Sequence, residues 1–297
     1  MNIGFIGLGN MGNPIARKLI GKKHRLSVFD LDEARTAALV KEGAEAVKSI
    51  KEVAERSDVV FLSLPNQLIV REVALGNGGL LSHMKKGSVL VDLSTSLPSV
   101  TREIGRAAQA IGVDILDAPL SGGPEGAEAG NLSIVAGGSK TVFDKALPLL
   151  YAFSDPEKCF YAGELGNGHS LKLIHNHLNA ITLVAITEAL VVGKKAGIDP
   201  QLMFDVISVS RGNSGMFQSR APRMMDGNFK AAFSVDLMYK DLGLAASLAQ
   251  ELKIPVVLGD AARSVYEMAR AKGKGADDIA AVVTVLEEWA GVTVRRT

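Results

Sequence analysis

A spacing of glycines restricts the fold of this chain more than any other feature. Gly7-Leu8-Gly9-Asn10-Met11-Gly12 follows the apolar run Ile3-Gly4-Phe5-Ile6 directly and leads into a helix-like stretch. In a strand–turn–helix unit the first glycine permits the tight turn. The second lets backbone approach a pyrophosphate, and the third lets the helix pack on the strand. The helix start then offers backbone N–H groups and positive dipole to phosphates. A lone G-x-G-x-x-G is weak evidence. Here Ser27-Val28-Phe29-Asp30 supplies a second strand closed by an acid, eighteen residues after Gly12. The ribose-binding carboxylate of a dinucleotide fold is expected at roughly 20. Asp30 would accept hydrogen bonds from the adenosine ribose hydroxyls and repel a 2′-phosphate, and no Arg follows it immediately. NAD is therefore expected in preference to NADP. Asp32 is better placed than Asp30 to cap the next helix.

The first half keeps alternating. Strand-like runs lie at 3–6, 26–29, 58–64, 89–93, 113–116, 132–136 and 158–161, with amphipathic stretches between most of them. Ser49-Ile50-Lys51-Glu52 matches a capping box and should open a helix. This alternation predicts an α/β Rossmann domain with a doubly wound, mostly parallel sheet. The texture changes at the glycines Gly163, Gly166 and Gly168. From there no strand is evident. Residues 170–195 read as one long helix ended by Gly197, and Asp199-Pro200 as an N-cap followed by proline at the first helical position. Further helices are expected at 235–252, 257–271 and 277–290. The expected organisation is thus a Rossmann domain over 1–163 and an all-α domain over 164–297.

A length of 297 residues suits two domains. A net charge of +1 gives no electrostatic case for nucleic acid or an acidic membrane surface. The single cysteine, Cys159, excludes a disulfide within the chain and points to a reducing compartment, the cytoplasm. Within Lys158-Cys159-Phe160-Tyr161 it reads as a small hydrophobe. Met1 to Ile6 already reads as the first strand, so no leader segment is expected. No apolar stretch approaches the roughly 20 residues of a membrane span. The most apolar helix, near 181–192, is interrupted by Thr182, Thr187 and Glu188.

Four motifs together resemble the β-hydroxyacid dehydrogenase family, which includes 3-hydroxyisobutyrate dehydrogenase and tartronate semialdehyde reductase. G-x-G-x-M-G-x-P-x-A is matched from Gly7 through Pro14 to Ala16. D-x-P-x-S-G-G is matched by Asp117 to Gly123, and G-x-G-x-x-x-K-x-x-x-N by Gly166, Gly168, Lys172 and Asn176. K-D-L-x-L-A is matched by Lys240-Asp241-Leu242-Gly243-Leu244-Ala245. Their coincidence in the family order is far more specific than any one of them. The resemblance implies a Rossmann domain joined to an all-helical domain with the active site in the cleft between them. It also implies a homodimer or homotetramer. Three departures stand out. Ala16-Arg17-Lys18-Leu19 lacks the Asn of A-x-N-L, Pro124 follows the double glycine, and His175 and His177 flank Asn176. The last two bear on substrate identity and leave the reaction type unchanged.

The resemblance makes Lys172 the group that moves the hydroxyl proton. By composition alone Lys172 reads as a solvated helix lysine. Flanked by Leu171 and Leu173, and near a cofactor, a lysine can have its pKa lowered by desolvation. Asn176 lies four residues on, on the same helix face; by the family match it orients the substrate hydroxyl or Lys172. Ser121, Gly122 and Gly123 offer a hydroxyl and closely spaced N–H groups that can cradle a carboxylate, although a flexible loop fits Pro124-Glu125-Gly126 as well. Leu64-Pro65 and Thr95 fall at carboxyl ends of strand-like runs, where open α/β sheets bind ligands. The family places equivalents of Pro65 and Thr95 beside the cofactor and Lys240 near nicotinamide or substrate; Asp241 orients that lysine or caps a helix. No metal site is expected. His169 stands apart, and His175 and His177 face different ways, with His175 toward the core. The expected activity is NAD-dependent oxidation of a small 3-hydroxy acid resembling 3-hydroxyisobutyrate. The reductase direction on a related semialdehyde (tartronate, succinic or a sulfonate analogue) is the alternative. Imine reductase chemistry is disfavoured by the retained Lys172 and Asn176, and a non-catalytic NAD-binding relative by Lys172.

Overall fold

A computed structural model of the chain describes residues 1–21 and 24–296. Through the first half, strands and helices alternate as β1 Asn2–Ile6, α1 Gly12–Lys18, β2 Arg25–Phe29, α2 Glu33–Lys41, β3 Glu45–Ala46, α3 Ile50–Arg56, β4 Val59–Leu62 and α4 Gln67–Leu75. They continue as β5 Val89–Asp92, α5 Pro98–Ala110, β6 Asp114–Asp117, β7 Leu120–Ser121, α6 Gly123–Ala129, β8 Leu132–Gly138, α7 Lys140–Leu150 and β9 Ser154–Tyr161. Helices follow: α8 Asn167–Lys195, α9 Pro200–Ser208, α10 Gly215–Met225, α11 Val235–Glu251, α12 Val257–Ala271 and α13 Val283–Ala290. The chain divides into two compact units, Met1–Lys172 and the remainder from Leu173.

The strands of the first unit form one sheet in the order β3-β2-β1-β4-β5-β6-β8-β7, with β9 also on β8. Every pairing from β3 across to β6 is parallel. β8 runs antiparallel to β6 and β7 and parallel to β9. The expected doubly wound, mostly parallel Rossmann sheet is what forms. Its faces are both buried, as the unbroken apolar runs require. Val59 and Phe61 of β4 enter one core with Ile15 of α1 and Phe143 of α7. Val60 and Leu62 enter the other with Val53 of α3, Val70 of α4 and Ile104 of α5. Strand order reverses at β1, which lies between β2 and β4. That switch point leaves a crevice at the carboxyl ends of β1 and β4.

Local caps follow the sequence. Ser49 Oγ accepts from Glu52 N, Asp32 from Ala34 N, and Asp199 from Gln201 and Leu202 N, with Pro200 opening α9. Differences lie where backbone pairing or capping outweighs side-chain pattern. β3 and β7 are two-residue strands with no legible periodicity. β9 begins at Ser154, earlier than expected, and an irregularity in its register with β8 spans the Leu132–Ile134 stretch. The last helix starts at Val283, because Asp278 caps a separate 3-10 turn over Ile279–Val282.

The helical unit packs its own core, including Leu183, Leu190, Phe217, Met224, Leu242 and Tyr266. One expectation needs correction. α8 holds an 18-residue window of mean hydropathy 1.3, which by length and composition alone is apolar enough to cross a membrane. Its threonines do not break that run, since Thr182 Oγ donates to Leu178 O and Thr187 Oγ to Leu183 O. Half the window is buried within the protein.

Candidate active site

The glycine turn sits in the crevice beside β1. Gly7 has φ +91°, and a Cβ there would stand 2.2 Å from Ser63 O. A Cβ on Gly12 would stand 1.8 Å from Gly7 O, so helix and turn close on each other only with glycine. Gly9 differs: the first atom a Cβ would meet is Arg35 Nη1, at 3.5 Å. Turn, open approach and close packing thus fall on the three glycines as a pyrophosphate site requires, and these residues fit a dinucleotide. Asn10 and Met11 complete the turn, and Met11 carries no side-chain cap.

Asp30 directly follows β2 beside that turn. Its Oδ2 accepts from Leu8 N at 2.6 Å and its Oδ1 from Asp32 N at 2.9 Å. Leu8 itself is buried in the core, so its part in the turn is played by its backbone. Arg35, five residues past Asp30, places Nη1 3.8 Å from Asp30 Oδ2 and Nε 3.2 Å from Asp32 Oδ2. The sequence carried no signal for this cation, because the first turn of α2 brings it back.

The ends of β4 and β5 are tied together by Ser94. Its Oγ accepts from Leu64 N at 3.0 Å, and its own N donates to Asp92 Oδ1 at 2.9 Å. Pro65 is exposed and Thr95 half-buried.

Asp117 joins two motifs that lie some fifty residues apart. Its Oδ1 accepts from Gly166 N at 2.8 Å and its Oδ2 from His169 N at 2.7 Å, so it caps the start of α8 from a distant strand. A Cβ on Gly168 would come within 2.4 Å of Val135 O and 2.7 Å of Asp117 O. Gly168 is therefore what lets helix and sheet meet. Burial pushes the Asp117 carboxyl above the ordinary carboxylate range, opposed by the charge of His169 and the two N–H donors. One turn further along α8, Lys172 Nζ donates to Ser121 Oγ at 3.1 Å. Gly122 and Gly123, with φ of +125° and +63°, turn the chain out of β7 into α6.

In the helical unit, Asn176 is buried and donates through Nδ2 to Asp241 Oδ2 at 2.6 Å. Lys240 Nζ stands 3.0 Å from Asp241 Oδ1. Asp241 lies inside α11, where it contacts both groups and caps no helix. The histidines correct an expectation. His175 is exposed, with its Nε2 3.0 Å from Asn179 Nδ2. His177 instead packs on α12, where a Gly259 Cβ would meet its ring at 2.1 Å. The helix turns Asn176 inward, which puts its two neighbours on the flanks. His169, set apart by its spacing, is fully buried against Thr101, Ser94 and Asp117. Cys159 is partly buried and burial raises its thiol, as a structural residue requires. Among the described residues no group of three His, Cys, Asp or Glu is arranged to hold a metal.

The glycine turn after β1 and the acid that follows β2 define a dinucleotide-binding domain, and the comparisons make it part of an NAD(P)-dependent dehydrogenase. Comparisons agree on the family. Residues 2–163 match the NAD-binding domain of 6-phosphogluconate dehydrogenase, and residues 166–286 match the NAD-binding region of NADP-dependent 3-hydroxyisobutyrate dehydrogenase. The chain is 40% identical to 2-(hydroxymethyl)glutarate dehydrogenase of Eubacterium barkeri over 99% of its length and 97% of the relative's. It is 36% identical to mitochondrial 3-hydroxyisobutyrate dehydrogenase of Rattus norvegicus, over 96% of this chain and 87% of that one. The structure of Mycobacterium tuberculosis 3-hydroxyisobutyrate dehydrogenase with L-serine superposes with a TM-score of 0.89 at 31% identity, covering 96% and 98% of the two chains. The chain belongs to the β-hydroxyacid dehydrogenase family.

Proposed function

We propose that this chain reversibly oxidises the 3-hydroxyl of a small 3-hydroxy acid to its semialdehyde, with Lys172 as general acid/base. The observation that carries the reading is the 3.1 Å hydrogen bond from Lys172 Nζ to Ser121 Oγ, which brings the proton-transfer and carboxylate-binding motifs to one place. The names of the relatives support the substrate class. 3-Hydroxyisobutyrate and 2-(hydroxymethyl)glutarate both carry a hydroxymethyl group on the carbon next to a carboxylate, and L-serine is a 3-hydroxy acid as well.

Bound NAD(P) supplies the acceptor for the hydride that leaves the carbinol carbon. The chain supplies the rest. Gly7 to Gly12 seat the pyrophosphate, Asp30 takes the adenosine ribose hydroxyls, and Leu64, Pro65 and Thr95 border the cofactor. Ser121 Oγ and the N–H groups of Gly122 and Gly123 hold the substrate carboxylate. Lys172, as the amine, accepts the hydroxyl proton during oxidation and returns it during reduction. Asn176, fixed by Asp241, orients the hydroxyl or Lys172, and Lys240 adds positive charge for the anion. Lys172→Ala should abolish turnover while NAD(H) still binds, measured by steady-state rates and NADH fluorescence titration. Near-normal turnover would refute the assignment.

NAD is the preferred cofactor on the strength of Asp30, and Arg35 is the residue through which NADP gains entry. The functional boundary falls at 163/164, supported by the positive φ of Gly163 and by the two family matches, which end at 163 and resume at 166. The chain assembles as a homodimer or homotetramer, supported by exposed apolar side chains on the helical unit such as Leu202, Val206, Val209 and Trp289. Small-angle scattering reports which. A cytoplasmic location is supported by the lone Cys159, and fluorescent tagging in the source cell tests it.

A further inference from the structure

His169 is fully buried, and both its ring nitrogens are engaged. Nε2 lies 3.0 Å from Ser94 O, and Nδ1 lies 2.7 Å from Thr101 Oγ. A carbonyl oxygen only accepts, so Nε2 carries a proton and donates to Ser94. Thr101 Oγ also stands 3.1 Å from Leu97 O, within its own helix. The backbone N of His169 is itself held by Asp117. Ser94 is the residue on which both cofactor-bordering loops hang, since its Oγ accepts from Leu64 N and Thr95 follows it in the chain. His169 is thus the side chain that reaches from the helix of Lys172 to that junction, three residues before the lysine.

We propose that His169 is a positioning residue that holds Ser94, and through it the Leu64-Pro65 and Thr95 rim of the cofactor site, in fixed register with Lys172. The inference rests on the assignment of Lys172 as acid/base. Hydride and proton leave the substrate at adjacent atoms, so the seat of the nicotinamide and the seat of the lysine must be held relative to each other to within a fraction of an ångström. One polar contact made inside the protein, out of reach of water, does this without using either reacting group.

Three substitutions separate positioning from bulk. In His169→Gln the terminal amide NH2 falls near the place of Nε2, so the donor to Ser94 is kept. In His169→Asn the shorter amide reaches only toward Thr101. His169→Leu removes both contacts. His169→Leu and His169→Asn should raise KM for NAD and lower kcat, each about tenfold, the loss expected where a buried acceptor, here Ser94 O, is left without its donor. His169→Gln should return both to within threefold of the unsubstituted chain. A merely structural role predicts that activity follows thermal stability across all three, with no rescue specific to Gln, and that result overturns the inference. If His169→Leu fails to fold, 15N spectra of histidine-labelled full-length chain decide the matter. A protonated Nε2 on His169 is expected, and a bare Nε2 overturns the contact. Lys172→Ala separates this inference from its foundation. If Lys172→Ala is inactive and the His169 variants behave as wild type, only the role of His169 falls. If Lys172→Ala is active, the acid/base assignment falls first.

Discussion

Gly168→Ala tests the meeting of α8 with the sheet. The added Cβ would stand 2.4 Å from Val135 O, 2.7 Å from Asp117 O and 2.9 Å from Asp117 Oδ2, whereas ordinary contact begins at 3.4 Å. The shortfall is 1.0 Å against Val135 O; two of the three atoms are backbone oxygens, and the third, Asp117 Oδ2, is buried and held by His169 N. The helix start must therefore retreat by about 1 Å, at a cost of about 1–3 kcal/mol in stability, as overpacking commonly exacts. A helix moves as a rod over one turn, so the retreat carries to Lys172 and stretches its 3.1 Å contact with Ser121 toward 4 Å. A misplacement of about 1 Å at reacting groups can lower kcat on the order of 10²-fold, equivalent to about 2.7 kcal/mol of barrier. Steady-state kinetics with NAD and a 3-hydroxy acid, alongside urea unfolding, would measure both. A folded Gly168→Ala protein with kcat within threefold of the unsubstituted chain would refute the idea that this contact aims Lys172.

Other consequences can be measured directly. Asp30→Ala should lower the preference for NAD over NADP about tenfold in kcat/KM, and Arg35→Ala should raise it by a similar factor, each reflecting a charge-assisted contact; unchanged ratios in both would remove these residues from cofactor choice. Burial raises the folded-state pKa of Asp117. A raised acid contributes its full stability below its unfolded value of about 4 and loses it as pH climbs through the folded value. The stability advantage of the chain over Asp117→Asn should therefore narrow as pH rises above 4, and a constant advantage from pH 4 to 7 in urea titrations would contradict burial as the governing cause. Gly243→Ala, within α11 where a Cβ meets nothing inside 4 Å, should add about 0.5–1 kcal/mol by lowering the entropy of the unfolded chain; thermal melts showing destabilisation would exclude that account.

The sequence made legible whatever is governed by local rules. The three glycine roles, the caps at Asp32, Ser49 and Asp199 and the alternation that builds a parallel sheet all depend on neighbours a few residues away. What stayed hidden depends on distant partners. β3 and β7 exist because a neighbouring strand offers hydrogen bonds to two residues at a time, which leaves no hydrophobic period to read. Arg35 reaches Asp30 only after α2 has turned. His169 looked isolated because its partners Ser94, Thr101 and Asp117 lie between 52 and 75 residues earlier. His175, expected inward, faces out because the helix phase is set by its neighbour Asn176, whose amide answers a buried carboxylate from α11.

The long-range cap at the start of α8 governs where this chain can be divided. A fragment ended at residue 163 would keep Asp117 and discard both backbone donors, Gly166 N and His169 N, that its carboxylate uses. A buried acid stripped of its partners is expensive, so such a fragment would have to let water reach the end of β6 where Asp117 sits. A fragment carried through Lys172 retains the cap, the imidazole link to Ser94 and the lysine opposite Ser121. For anyone grafting the nucleotide-binding half onto another protein, the usable seam lies inside the long helix, one turn or more past the glycines that mark the domain boundary.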